Sequence, residues 1–286
     1  GIYEDTKHKD EILKLSRFKS TKDVTKWISL EEYINRIFLS SQKRTTNKKI
    51  PLSLPHAGFE RLNSRRILII AKSGTSAGSF QNRIGPLSFE LSVGKERLVV
   101  NCGTFFGENN EWKKATLNNS AYSTITIEDS NPEPNIKKTG VEAALRGNEE
   151  DSSWMELRHN GYRKKFGLIH VRRLHIHSDG HEVVGIDSIV FIDHKEQIET
   201  KNAVLRFHLH PYIKASQVGE GTSVILSPNK GQGWIFETNT EKPKLEESVY
   251  LGKKGTMRRT HQIIVPLTIK NKETNITWHF TKLPRK

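Results

Sequence analysis

The sequence predicts an all-β protein built as a large antiparallel β-sandwich. Three observations carry that prediction. Beyond residue 55, about a dozen short strand-like segments follow one another, each bounded by turn residues. No helical pattern separates them, which argues against a parallel βαβ architecture. The hydrophobic fraction is only 34%, yet the apolar residues recur in short, regularly spaced runs that can line two facing sheets.

Taken in order, residues 1–53 read as a helical lead-in and basic linker, and residues 54–286 as the sandwich domain. Within the lead-in, Ser29-Leu30-Glu31-Glu32 fits a capping box. Leu30, Tyr33, Ile34, Ile37 and Phe38 follow at helical spacing, so a short amphipathic helix is expected. The stretch Ser40 to Lys49 is basic and polar, runs into Pro51 and Pro55, and reads as a solvated linker. The expected strands are then Arg66–Ala71, Leu87–Val93, Arg97–Asn101, Ser123–Glu128, Trp154–His159 and Phe166–His177. They continue with Glu182–Ile192, Ala203–His210, Ser223–Ser227, Gly233–Glu237, Thr260–Ile269 and Thr277–Phe280. Residues 130–150, rich in Asn, Pro, Glu and Lys, are expected to form a long loop or hairpin tip.

Charge narrows the range of partners. Lys and Arg total 46 against 32 for Asp and Glu, a net +14, which suits a polyanion: nucleic acid, anionic lipid or acidic polysaccharide. Aromatic residues do not cluster with basic ones in the manner of an RNA-recognition sheet, which disfavours nucleic acid. Cys102 is the single cysteine, so an intrachain disulfide and a cysteine-based zinc site are excluded. No apolar run reaches the roughly 20 residues of a membrane span. The chain opens on Gly1-Ile2-Tyr3-Glu4 without an initiator methionine and is expected to be part of a longer protein.

Among the 12 histidines, the run Arg206-Phe207-His208-Leu209-His210-Pro211 is the most informative. A strand puts His208 and His210 on one face and Phe207 and Leu209 on the other. The paired imidazoles could bind a metal, zinc or another divalent ion, given a third ligand such as His170, Asp187, Asp193 or His194. They could instead contact an anionic substrate, together with Arg206, or be structural. His175 and His177, beside the Ser178-Asp179-Gly180 turn, read as a solvated hairpin end. Trp234 and Phe236 alternate with Ile235 and read as core. Gly74 to Gly78 lacks the Lys-Ser/Thr ending of a phosphate loop, and no G-x-S-x-G elbow is present.

A set of ordered motifs carries a resemblance. Leu54-Pro55-His56-Ala57-Gly58-Phe59-Glu60-Arg61-Leu62 is followed by Leu87-Ser88-Phe89-Glu90-Leu91-Ser92-Val93-Gly94 and Leu98-Val99-Val100-Asn101-Cys102-Gly103. Asp187, the Arg206–Pro211 run, Gly233 to Phe236, Glu247 to Gly252 and Gln262 to Val265 come after them in the same order. Over residues 54–280 the chain resembles the C-terminal domain of the heparinase II/III-like family. That resemblance implies a sandwich of the lyase supersandwich type, following an N-terminal helical toroid absent from this chain. It also implies β-elimination on an acidic, uronate-containing polysaccharide held between the two parts, in a periplasmic or envelope setting. A neutraliser for the carboxylate, a base for the C5 proton and an acid for the leaving oxygen are required.

The family pattern is altered in one cluster. Where relatives carry His-x-His-x-Asp before the Leu-Ser-Phe motif, this chain has Gln81, Arg83 and Gly85. Tyr122 stands where relatives usually have a histidine, and Asn101 where they have an aspartate. These exchanges imply that the usual metal is not held, so no cofactor is expected. Two accounts stay open for this cluster: Arg83, Asn101 and Tyr122 form an anion site, with Tyr122 as candidate acid/base, or the site has degenerated and the sandwich merely binds polymer or supports the fold. The expected function is that of the C-terminal domain of a polysaccharide lyase, inactive as this fragment alone. The alternative is a module that binds anionic polysaccharide without cleaving it.

Overall fold

The structure is a computed structural model and describes residues 51–54, 57–73, 85–133, 141–192, 199–253 and 256–284. The expected amphipathic helix, most of the basic linker, the Gly74–Gly78 loop, Gln81, Arg83, Asp193 and His194 lie outside the described residues.

Two antiparallel sheets face each other. The first runs in the order β1 (Ser53–Leu54), β2 (Phe59–Ser64), β3 (Ile67–Lys72), β4 (Phe89–Val93), β5 (Glu96–Val100), β11 (Lys201–Leu209), β16 (Thr256–Ile269) and β15 (Lys244–Lys253). β6 (Ile125–Ile127) pairs with β11 beside that path. The second sheet runs β12 (Ile213–Val218), β13 (Ser223–Pro228), β14 (Trp234–Thr238), β17 (Glu273–Lys282), β10 (Glu182–Phe191), β9 (Leu168–His177), β8 (Ser152–His159) and β7 (Val141–Glu149). The all-β sandwich expectation holds, and each of the twelve expected segments overlaps one of these strands.

The core lies between the sheets and follows the two-residue period. β11 sends Ala203, Leu205, Phe207 and Leu209 inward, and β16 adds Ile263, Val265, Leu267 and Ile269. Trp234 and Phe236 are buried opposite them, as the alternation predicts. Trp278 stacks on Phe89 at 5.4 Å and meets Phe207 at 5.0 Å, so aromatic contacts join the two layers. Gly185, register partner of Trp278, leaves the space that this indole fills: a Cβ there would sit 2.0 Å from the ring.

A buried ion pair also bridges the layers. Asp187 accepts hydrogen bonds from Arg172 Nε at 2.7 Å, His170 Nε2 at 2.7 Å and Trp278 Nε1 at 2.8 Å. Arg172 Nη1 reaches across to the carbonyls of Leu87 and Ser123 at 2.8 and 2.9 Å. Burial alone would raise the Asp187 carboxyl, but Arg172 and His170 outweigh it and hold the group well below the usual carboxylate range.

One expectation is corrected. Residues 141–149, read as part of a long loop or hairpin tip, form β7, the first arm of a hairpin with β8 at the edge of the second sheet. Its sequence (Val-Glu-Ala-Ala-Leu-Arg-Gly-Asn-Glu) alternates only weakly, through Ala and Gly, which are poor strand formers, and pairing with β8 overrides that local propensity. β1, β2, β12 and β15 were likewise not anticipated. No helix among the described residues is long and apolar enough to cross a membrane.

Candidate functional site

The candidate site is created by a break in one strand path. β5 and β6 pair in turn with the same edge of β11: Val100 opposite His208, then Ile125 opposite Leu205. Between them the chain leaves the sheet, forms helix α1 (Asn110–Thr116), and returns through a single 3-10 turn, Asn119–Ala121. Asn109 starts the helix by accepting from the amides of Glu111 and Trp112 at 2.8 and 3.1 Å.

Asn101 and Ser123 tie the two ends of this excursion together. Asn101 Oδ1 accepts from the Ser123 amide at 2.8 Å, and Ser123 Oγ donates to the Val100 carbonyl at 2.7 Å. The same hydroxyl accepts from the His208 amide at 2.9 Å. Asn101 is thus a structural tie in this arrangement, with its side-chain oxygen occupied.

His208 lies on the outer face of the first sheet, opposite to Phe207 and Leu209, as the alternation predicts. The excursion covers that face, so the imidazole is buried. Its Nε2–H donates to the Ser120 carbonyl at 2.9 Å, which leaves Nδ1 to accept from Ser248 Oγ at 2.9 Å, with Cys102 Sγ at 3.4 Å. Both ring nitrogens are therefore engaged within the protein. Burial pushes the His208 pKa down to about 4, against a partial opposing pull from the Ser120 carbonyl. It pushes the Cys102 thiol up to about 11, so the thiol rests protonated beside a neutral imidazole.

Tyr122 follows the 3-10 turn. Its ring packs flat on Gly85, where a Cβ would come within 2.4 Å of the ring carbons. Gly85 is held there with φ at +66° by the side chain of Asn119, which accepts from its amide at 3.2 Å. The Lys72 ammonium lies 5.8 Å from the Tyr122 ring centroid. Burial drives the two groups in opposite directions: the phenol is pushed up to about 12 and the amine down to about 7. Tyr122 consequently holds its proton at neutral pH, while Lys72 can exchange one.

His210 lies one residue beyond β11. Its ring meets Tyr212 and Tyr250 edge-on, each at 5.0 Å. Burial, then the charges of Arg97 and Arg258, push its pKa down to about 4. Arg206 shares the outer face with His208, and its buried Nη1 has no hydrogen-bond partner among the described residues. Asn101, Tyr122 and His208 thus gather around one excursion, His210 joins a separate tyrosine pair, and Arg83 lies outside the described residues. No group of three or more His, Cys, Asp or Glu side chains arranged to hold a metal occurs among the described residues.

Sequence reasoning missed Lys72, Ser248, Tyr250 and Arg258. Lys72 ends the apolar run Ile67-Leu68-Ile69-Ile70-Ala71, and a charge closing so apolar a strand was a usable signal. Ser248 and Tyr250 lie in the Glu247–Gly252 motif and Arg258 in none, but only strand pairing brings all three to the histidines.

Comparison with known proteins adds a lineage. The profile of the family described as Heparinase II/III-like, C-terminal, matches residues 46–279. FtsZ-localized protein C of Caulobacter vibrioides is 25% identical over 256 residues, covering 80% of this chain and 43% of that protein. The heparan sulfate lyase HepC from Pedobacter heparinus shares the fold with a TM-score of 0.69 at 12% identity, over 96% of this chain and 41% of that one. A heparinase III structure gives 0.62 at 13% identity, over 79% and 35%. The chain therefore spans less than half the length of each of these relatives.

Proposed function

The chain belongs to the heparinase II/III-like C-terminal family, and on that premise we propose that it is the sandwich part of a protein that cleaves an acidic, uronate-containing polysaccharide by β-elimination. In that reaction a base removes the C5 proton, the C4–O glycosidic bond breaks, and a C4–C5 double bond remains in the product. The leaving oxygen takes a proton from an acid. The observation that carries the reading is the Tyr122 phenol with the Lys72 ammonium against its ring. A phenol that stays protonated at neutral pH can serve as the acid, and its hydroxyl donates to the Thr116 carbonyl at 3.4 Å before a leaving oxygen takes that place. An N-terminal toroid would supply the remaining groups and the opposite wall of the cleft, so these residues alone are expected to be inactive.

The reaction in this reading runs without the family's metal cluster. Gly85 offers no donor, the Tyr122 ring fills the space that a side chain there would take, and the Asn101 oxygen is held by the Ser123 amide. The residues present do not fit a metal at these positions. A second reading, binding of anionic polysaccharide without cleavage, draws on the same substitution of packing for ligands. Incubating the intact protein with uronate polymers separates the two. Release of an unsaturated product absorbing in the ultraviolet supports elimination; salt-dependent binding with no product across heparan sulfate, alginate and related polymers supports the binding module and removes the first reading.

A further inference from the structure

We propose that the corner of the first sheet, where β11 leads into β12, holds a subsite for one anionic sugar residue, built from Tyr212, His210 and Arg258. It rests on the reading that the polymer is an acidic polysaccharide. Tyr250 and Arg258 are register partners on β15 and β16, so both side chains emerge on the same side of the sheet. His210 stands edge-on between Tyr250 and Tyr212, and the Arg258 guanidinium lies 4.4 Å from the Tyr212 ring centroid. The result is a ladder running Arg97, Tyr250, His210, Tyr212, Arg258.

Its two ends differ. Arg97 is neutralised by Glu90 at 2.5 Å and donates to the Tyr250 hydroxyl at 2.8 Å, so the inner end is closed. At the outer end Arg258 is stacked on Tyr212 without a carboxylate or hydrogen-bond partner among the described residues. Tyr212 is 49% exposed, which leaves an open aromatic face next to an unneutralised cation. Stacking pre-orders the planar guanidinium while its N–H edge stays available for a bidentate acceptor. A carboxylate or sulfate on a sugar supplies that acceptor, and the C–H face of the same ring fits the exposed face of Tyr212.

The test is calorimetric titration of the intact protein with three oligosaccharides: an unsulfated oligouronate, a sulfated oligomer lacking uronate, and a neutral oligomer. Either anionic probe binding over the neutral one is expected, and the preferred probe identifies the anion. Arg258→Gln and Tyr212→Ala should each weaken that binding about tenfold, in line with the loss of one charge-assisted or aromatic contact. Arg258→Lys, which keeps charge but loses the fork, should recover only part of the loss. Arg259→Gln makes the same charge change on the opposite face of β16 and should leave binding within about twofold. Equal losses for Arg258→Gln and Arg259→Gln would reduce the effect to overall charge and overturn the subsite. So would undiminished binding by both Arg258→Gln and Tyr212→Ala, equal binding of the neutral probe, or no binding of any probe. In each of those cases unsaturated product from a polymer would still uphold the elimination reading, so the two failures remain distinct.

Discussion

Acid should unfold this sandwich through its neutral buried histidines before its carboxylates titrate. His208 and His210 are buried, and both are pushed down to about 4 when folded. In the unfolded chain each returns to about 6.5. A group whose folded pKa is depressed in this sense favours the fold while neutral. Its contribution is complete above about pH 6.5 and is lost as the pH falls toward about 4, because only the unfolded chain takes up the proton in that window. At about pH 5 the unfolded form of each histidine is almost fully protonated and the folded form almost not at all. The linkage then amounts to about 2 kcal/mol per histidine relative to neutral pH, or about 4 kcal/mol for the pair. His159 and His170, also lowered by burial, act in the same direction.

The assay is urea unfolding at about pH 7.5 and at about pH 5, on the wild type and on the double variant His208→Gln/His210→Gln. The variant should be less stable at neutral pH, because Ser120 and Ser248 lose their imidazole partner. Its further loss on acidification should be smaller than the wild type's by about 4 kcal/mol. If wild type and variant lose the same stability between the two pH values, the imidazoles are not held neutral and the reasoning fails.

Three further outcomes follow from the geometry. Arg172→Leu leaves Asp187 buried without its main counter-charge and removes donors from the Leu87 and Ser123 carbonyls; it should cost about 3–5 kcal/mol in chemical denaturation. Gly185→Ala drives a methyl into Trp278 and should cost about 1–3 kcal/mol, with a change in tryptophan fluorescence that an exposed Gly→Ala change would not give. Tyr122→Phe keeps the ring on Gly85 and removes the hydroxyl with its long, 3.4 Å hydrogen bond to the Thr116 carbonyl. In the intact protein it should leave the melting temperature nearly unchanged and lower the elimination rate by about 100-fold or more; an unaltered rate would remove Tyr122 from the chemistry.

The interior strands were legible because they are buried on one face and solvated or covered on the other, so their sequences alternate. β9 (Leu-Ile-His-Val-Arg-Arg-Leu-His-Ile-His) alternates buried and less buried residues along nearly its whole length. β7, β12 and β15 escaped for a common reason: all three are edges of their sheets. β12 buries only Ile213, and an edge strand needs no apolar stripe when its register is imposed by one neighbour. β2, next to the two-residue β1, is close to an edge as well and carries Glu60, Arg61 and Asn63.

The site was legible in its residues but not in its exposure. Alternation correctly put His208 opposite Phe207 and Leu209, yet periodicity reports which face of a sheet a residue occupies and not what covers that face. The cover is the chain between β5 and β6, whose departure at Asn101 and return at Ile125 depend on pairings with β11 more than a hundred residues away in the case of His208 and Val100. Gly85 and Tyr122 make the same point in reverse. Read along the chain they are two separate positions, thirty-odd residues apart. In space they are coupled, since the ring needs the room that a side chain at position 85 would take and a Cβ there would strike it at 2.4 Å. Restoring one position alone, as in Gly85→Asp, should therefore overpack the site by about 1–3 kcal/mol and recover no ligand geometry. Gly85→Asp combined with Tyr122→His should relieve that clash, so the double variant should be more stable than Gly85→Asp alone. A double-mutant cycle showing additive effects would separate the two positions and undo the coupling.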